Sequence, residues 1–206
     1  MIKTFLSIAI CLFPPAVLSD EKTEPKRNYT LKIGDRSFQI SEGVPFDLKA
    51  GDKNQKATLT ASTYRTFTHQ NLNFDYPAHY SFEADLTNLQ AKSWTLSGND
   101  CTVMVFGMGA RVTHNEMAKE MANGFGKKNS KTRKTLLELG KKEYNVSIID
   151  VTIAGTDLKL EIFAIELSPN SSTLFIIQDS LGDDGKHSND YQVLRKFLDR
   201  SFSLKK

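Results

Sequence analysis

Residues 127–134, Lys-Lys-Asn-Ser-Lys-Thr-Arg-Lys, hold five positive charges and no acid. Lys127, Lys128, Lys131, Arg133 and Lys134 are suited to one kind of chemistry, the holding of an anion. The partner they predict is an acidic protein or an anionic envelope polymer. Arg111 and the Lys141-Lys142 pair are candidate extensions of that surface. A plainer reading fits the same residues: a solvated loop after a helix whose C-terminal end favours cations.

The other chemistry-bearing clusters promise less. Asp179, Asp183, Asp184, His187 and Asp190 form an oxygen-rich stretch, but a calcium-loop spacing fails in it. Leu181 stands at a ligand position and Gly185 comes one place late, so a turn with acids at a helix start explains these residues. His69, His79, His114 and His187 show no His-x-x-x-His spacing. Only His69 and His79 could cluster, since both flank residues 74–77, and two imidazoles without a third ligand make a poor zinc site. His114 is expected in the first turn of a helix, exposed. Gly107-Met-Gly109 lacks the third glycine and the Gly-Lys-Ser/Thr of a phosphate loop. The helix after it could still present its N-terminus to an anion. No Gly-x-Ser-x-Gly nucleophile elbow occurs, and no carboxylate pair stands out for glycoside cleavage. Asn28, Asn145 and Asn170 match the glycosylation pattern, which in a bacterial protein would be a chance match. Neither a cofactor nor a metal is implied.

The opening residues predict where the protein works. Lys3 precedes an apolar run, Phe5 to Phe13, which Pro14-Pro15 interrupts before Ala16-Val-Leu-Ser19. Residues 1–19 are expected to be a secretory signal peptide cut near Ser19, leaving a periplasmic or secreted protein. No later stretch approaches the roughly 20 apolar residues of a spanning helix, so no membrane span is expected. Cys11 lies in the leader, which leaves Cys101 without an internal disulfide partner. Cys101 sits in a strand-like run and reads as a small buried hydrophobe. The charge of the whole chain is +3, close to balance, which argues against nucleic acid as a partner.

These residues need elements to position them. Residues 20–28 are charged and read as a flexible leader. Leu31–Ile33 and Ser37–Ile40 flank Gly34-Asp35 as a hairpin. Pro45–Leu48 and Ala57–Ala61, around Gly51-Asp52, look like a second strand–turn–strand, making 29–62 an N-terminal β unit packed on the main domain. Phe67 to Pro77 contains a strand stopped by Pro77, resumed at Tyr80–Phe82. Trp94–Leu96 and Cys101–Phe106 pair across Ser97–Asp100. Thr113-His-Asn-Glu116 is a capping box, and Met117, Ala118, Met121, Ala122 and Phe125 form the apolar stripe of its helix, which frays at Gly124 and Gly126. Leu136–Leu139, Tyr144–Ile153, Leu158–Leu167 and the continuously apolar Leu174–Ile177 read as strands, the last central and covered on both faces. A final helix starts at Ser188, with Tyr191, Leu194, Phe197, Leu198 and Phe202 on its apolar side. The sum is an α+β domain with a mainly antiparallel sheet and two covering helices.

Phe74-Asp-Tyr-Pro77, the capped helix after the next hairpin, the long meander and a terminal helix ending in Ser201-Phe202 together resemble the PsbP-like superfamily over residues 63–206. That resemblance implies an α/β/α sandwich, an antiparallel sheet flanked by helices, with 29–62 as an extra unit. It also implies binding or assembly roles rather than catalysis. Phe74, Tyr76, Pro77 and Phe202 look like core and turn positions, so no functional residue carries over. The expected function is an exported, non-enzymatic binding or assembly module. The alternatives are a small hydrolase with a site assembled from distant residues, marked by a polar cleft at His79 or His187, and a lipid or small-ligand binder with an apolar cavity under the Met117–Phe125 helix.

Overall fold

The computed structural model describes residues 23–46, 56–88, 90–126 and 128–204. The expected signal peptide, Lys127, the Gly51-Asp52 turn and Asp47-Leu48 of the expected Pro45–Leu48 strand lie outside the described residues, and Pro45-Phe46 are not in a strand.

The N-terminal unit is a three-stranded antiparallel sheet. β1 (Asn28–Ile33) sits between β2 (Arg36–Ser41) and β3 (Ala57–Ala61). The hairpin at Gly34-Asp35 forms as its sequence predicts. β3 pairs with β1. One face carries Leu31 between Phe38 and Leu59, the other Thr30 between Gln39 and Thr60, as strand alternation requires. Asn28 accepts from Ser62 N–H at 2.8 Å, where this unit joins the next strand.

β4 (Tyr64–His69) and β5 (Leu72–Pro77) form a hairpin. Residues 67–77, expected to hold one strand, therefore hold parts of two. Gln70 takes φ 51° to make the turn, a conformation that sequence composition does not advertise for glutamine. The chain continues through β6 (Ser81–Asp85), β7 (Ala91–Ser97) and β8 (Cys101–Met108) to helix α1 (His114–Phe125). It then meanders through β9 (Ser130–Leu139), β10 (Lys142–Ile153), β11 (Thr156–Leu167) and β12 (Ser172–Ser180). Helix α2 (Asn189–Ser201) and the two-residue β13 (Ser203–Leu204) finish the described chain.

The main sheet has the order β6-β7-β8-β12-β11-β10-β9, every neighbour antiparallel. β12 is central, and Ser172 to Ile177 are buried without interruption, as the apolar run predicts. Two-residue turns with positive φ at both positions close β9–β10 (Gly140, Lys141) and β10–β11 (Ala154, Gly155).

The two faces of this sheet are covered differently. Ala118, Met117, Met121 and Phe125 of α1 pack on Ile149, Val151, Leu160, Ile162 and Ile176. On the other face, Phe67, Leu72, Phe74 and Tyr76 of the β4–β5 hairpin share a core with Val146, Ile148, Phe163, Phe175 and Ile177. Tyr191, Leu194 and Leu198 of α2 join it. The helix-flanked α/β/α sandwich is thereby corrected. Strand makes up 55% and helix 15% of the described residues, and a second antiparallel sheet, β13-β5-β4, shares with α2 a face expected to be covered by helix. The added sheet forms because Leu72, Phe74 and Tyr76 alternate along β5, with Phe67 opposite Phe74, and alternation buries one face of a sheet. No described helix is long and apolar enough to cross a membrane.

Candidate functional site

The basic run is not a loop. Ser130 to Lys134 begin the edge strand β9, and of the described residues Lys128 and Asn129 lie in the turn after α1. Strand alternation then divides the charges. The register pairs Lys134 with Ser147, Thr132 with Ile149 and Ser130 with Val151, all on the α1 side. Lys131 and Arg133 pair with Asp150 and Ile148 and face the other way.

On the α1 side, a groove of about 530 Å³ runs between α1 and β9. Asn115, Lys119 and Asn123 form one wall, at successive four-residue steps along the helix. Ser130, Thr132, Arg133 and Lys134 line the other, and Ala118 and Ala122 leave room between them. Among the described residues no acid lines this groove. Lys119 and Lys134 are exposed and meet no carboxylate there.

A polar chain closes one end of the groove. The Ser147 hydroxyl donates to Asn115 Oδ1 at 3.0 Å and so accepts from His114 Nδ1, also at 3.0 Å. His114 is half-buried rather than exposed, which corrects the expectation for it. Burial, and then the nearby Lys134 charge, push its imidazole below the ordinary value. The helix start behaves as its sequence predicts: Thr113 Oγ1 accepts from Glu116 N–H, and Glu116 accepts from Thr113 N–H at 2.8 Å. Glu116 is thus engaged away from the groove.

The opposite side of β9 is electrically balanced. Lys131 pairs with Asp150 in register, Asp150 with Lys159, and Lys159 with Asp179. Charges alternate along that row across four adjacent strands. Arg133 Nε also donates to Asp150 at 3.2 Å. A second depression of about 450 Å³ holds Lys128, Lys131 and Lys159, but Asp150 and Asp157 line it too. Of the five predicted cations, Lys134 has the acid-free surroundings an anion site needs. Lys128, Lys131 and Arg133 lie beside acids or face them, and Lys127 is outside the described residues. Lys141 and Lys142 sit at the far end of β9, and Arg111 does not line the groove.

The stretch at 179–190 makes a buried polar cluster. Asp179 is 1% exposed and accepts from His187 Nδ1 at 2.6 Å and Ser188 Oγ at 2.6 Å. Ser188 Oγ in turn accepts from Tyr191 N–H as the cap of α2. Lys159 Nζ lies 3.5 Å from His187 Nε2, and the His187 ring stacks on Tyr191 at 3.9 Å. Tyr191 donates to Glu161, a carboxyl that burial holds above its ordinary range. Asp190 accepts from Asn99 N–H at 2.7 Å, tying the β7–β8 turn to α2. Serine, histidine and aspartate meet here, but the serine bonds the aspartate, so the histidine is not placed to take its proton. Cys101 is buried, and its thiol is pushed far up by burial and the Asp179 charge.

The remaining candidates separate. His69 is buried beside Trp94, at 4.1 Å, at the turn end of the β4–β5 hairpin, while His79 follows Pro77 at the other end. The two do not cluster. No group of three metal-ligating side chains is found among the described residues. Met117 and Met121 pack onto the core.

Sequence reasoning missed Asn115, Lys119 and Asn123. Their spacing was legible, a polar row one step from the apolar stripe at Ala118 and Ala122. What it faces depends on a strand read as a loop. No protein-family model matches this chain, and no curated protein matches it.

Proposed function

We propose that this chain is an exported, non-enzymatic binding module that holds an acidic protein or an anionic envelope polymer in the α1–β9 groove. The observation that carries this is a groove with Lys119 and Lys134 on facing walls and no acid among the described residues that line it. The depressed imidazole of His114 supports it, since part of its cause is the positive field of Lys134. The N-terminal turn of α1 adds its partial positive charge at Asn115. Kinship with the PsbP-like superfamily and export through residues 1–19 belong to the same proposal, and both rest on sequence signatures.

The test is titration calorimetry of the protein with inorganic polyphosphate and with an acidic peptide. Replacing Lys119 and Lys134 by Glu should weaken binding at least about tenfold at low salt and leave the thermal midpoint within a few degrees. Equal affinity in the double variant would remove the groove from the proposal.

A further inference from the structure

We infer that β9 receives its partner as an added strand: an extended acidic peptide pairing along the outer edge of the seven-stranded sheet. This rests on the anion-binding reading above and names the form of the ligand. β9 is the last strand of its sheet, and among the described residues no strand pairs with its outer side. Lys131 to Leu136 are all exposed.

The backbone of β9 can be assigned side by side. Thr152 N–H donates to the Asn129 carbonyl, and that carbonyl therefore faces β10. The Glu138 carbonyl accepts instead from Arg195 Nη2 at 3.0 Å, a side chain of α2, and so belongs to the opposite set. Successive residues in an antiparallel strand alternate which side their N–H and C=O address. Lys131, Arg133 and Thr135 thus address β10. Ser130, Thr132, Lys134 and Leu136 turn their N–H and C=O outward, where an arriving strand would find them.

Charge selects the arriving strand. Its side chains would alternate between the α1 side, beside Lys134 and Lys119, and the other side, beside Lys131 and Arg133. Acids on the α1 side meet Lys134 and Lys119, while the other side, where Asp150 already balances Lys131 and Arg133, takes uncharged residues. Leu136, 58% exposed and next along the outward set, offers one apolar contact. A second copy of this chain is disfavoured, because antiparallel self-pairing would set these cations against their own kind, the usual protection of an edge strand. A flexible polyanion would use the charges but not the outward amides.

Leu136→Pro, at a residue outside the groove lining, tests this, with Leu136→Ala as the control for the lost side chain. The proline deletes one outward donor, keeps every charge and leaves the β10 ladder intact, a place where an edge strand tolerates proline. Titration with an octapeptide alternating Glu and Val should show affinity about tenfold weaker in the proline variant than in the alanine variant, with polyphosphate affinity unchanged. Should the proline variant fold poorly, the wild-type protein is titrated with the same peptide N-methylated at every second residue, in either phase. Strand addition predicts binding lost in one phase and kept in the other. Equal peptide binding by the two variants, or by both phases, overturns the inference. Polyphosphate binding without peptide binding overturns it while sparing the anion groove, and binding of neither overturns both.

Discussion

His187 Nδ1 lies 2.6 Å from Asp179 Oδ2 while Ser188 Oγ donates to Oδ1 of the same carboxylate, also at 2.6 Å. The three side chains of a hydrolytic triad are together, bonded in an order that caps a helix. Ser188→Ala should therefore cost about 1 kcal/mol of stability, the worth of an N-cap. Asp179→Ala should cost about 3 kcal/mol, because it strands buried donors on two neighbours. Urea denaturation of both variants measures this, and an Asp179→Ala protein as stable as wild type would contradict the capping role.

Lys134 acts on His114 across the α1–β9 groove. Burial, the larger cause of the lowered His114 pKa, persists in Lys134→Glu, but reversing the smaller contribution of the Lys134 charge should raise the value toward its ordinary 6.5. Nuclear magnetic resonance titration of the imidazole reads this directly. The sign for stability follows. The neutral ring is favoured in the folded protein, so the unfolded chain takes up the proton first as pH falls through 6.5. The contribution of His114 to stability is therefore lost toward acid pH, and less so in Lys134→Glu. An unmoved pKa would separate the two residues electrostatically.

Glu161 works in the opposite direction. Its carboxyl is held above 4.5 by burial, opposed by the Tyr191 hydrogen bond and by the charges of Arg195, His187 and Lys159. The folded protein keeps a proton that the unfolded chain releases above 4.5, so stability from this group falls as pH rises through the folded value. Glu161→Gln should remove that slope. Its thermal midpoint should gain on wild type as pH rises from 4 toward 8, by differential scanning calorimetry. A constant difference across that range would count against the assignment.

Gly140 has no room for a side chain. A Cβ there would lie 2.1 Å from the Phe202 carbonyl oxygen, at φ +54°. Gly140→Ala should destabilise the protein by about 2–4 kcal/mol, combining left-handed strain with displacement of the α2 terminus. Chemical denaturation checks it. The neighbouring turn glycine Gly155, open on all sides at φ +86°, supplies the control: Gly155→Ala should cost only the backbone term of about 1 kcal/mol.

Much of the fold was legible one element at a time. The capping box at Thr113, the start of α2 at Ser188, the hairpins at Gly34 and Ser97–Asp100 and the central strand at Leu174 are local features. Neighbours within about four residues determine them, through capping, turn propensity and periodicity. Residues 67–77 defeated that reasoning, because a glutamine made the turn and the hairpin then covered a sheet face expected to carry a helix. The Lys131–Lys134 segment defeated it as well, since cations favour solvent whether the backbone is a loop or an edge strand.

The sequence alone therefore determined the charge of residues 127–134 and the two stripes of α1, apolar and polar. Only the tertiary structure decided what they make together. Pairing of β9 with β10 turned Lys131 and Arg133 toward Asp150 and left Lys134 facing Lys119 across the groove. That division depends on register between strands and on which sheet face a helix covers. Both are set by long-range burial of Ile149, Val151 and Ala118, which no local spacing encodes.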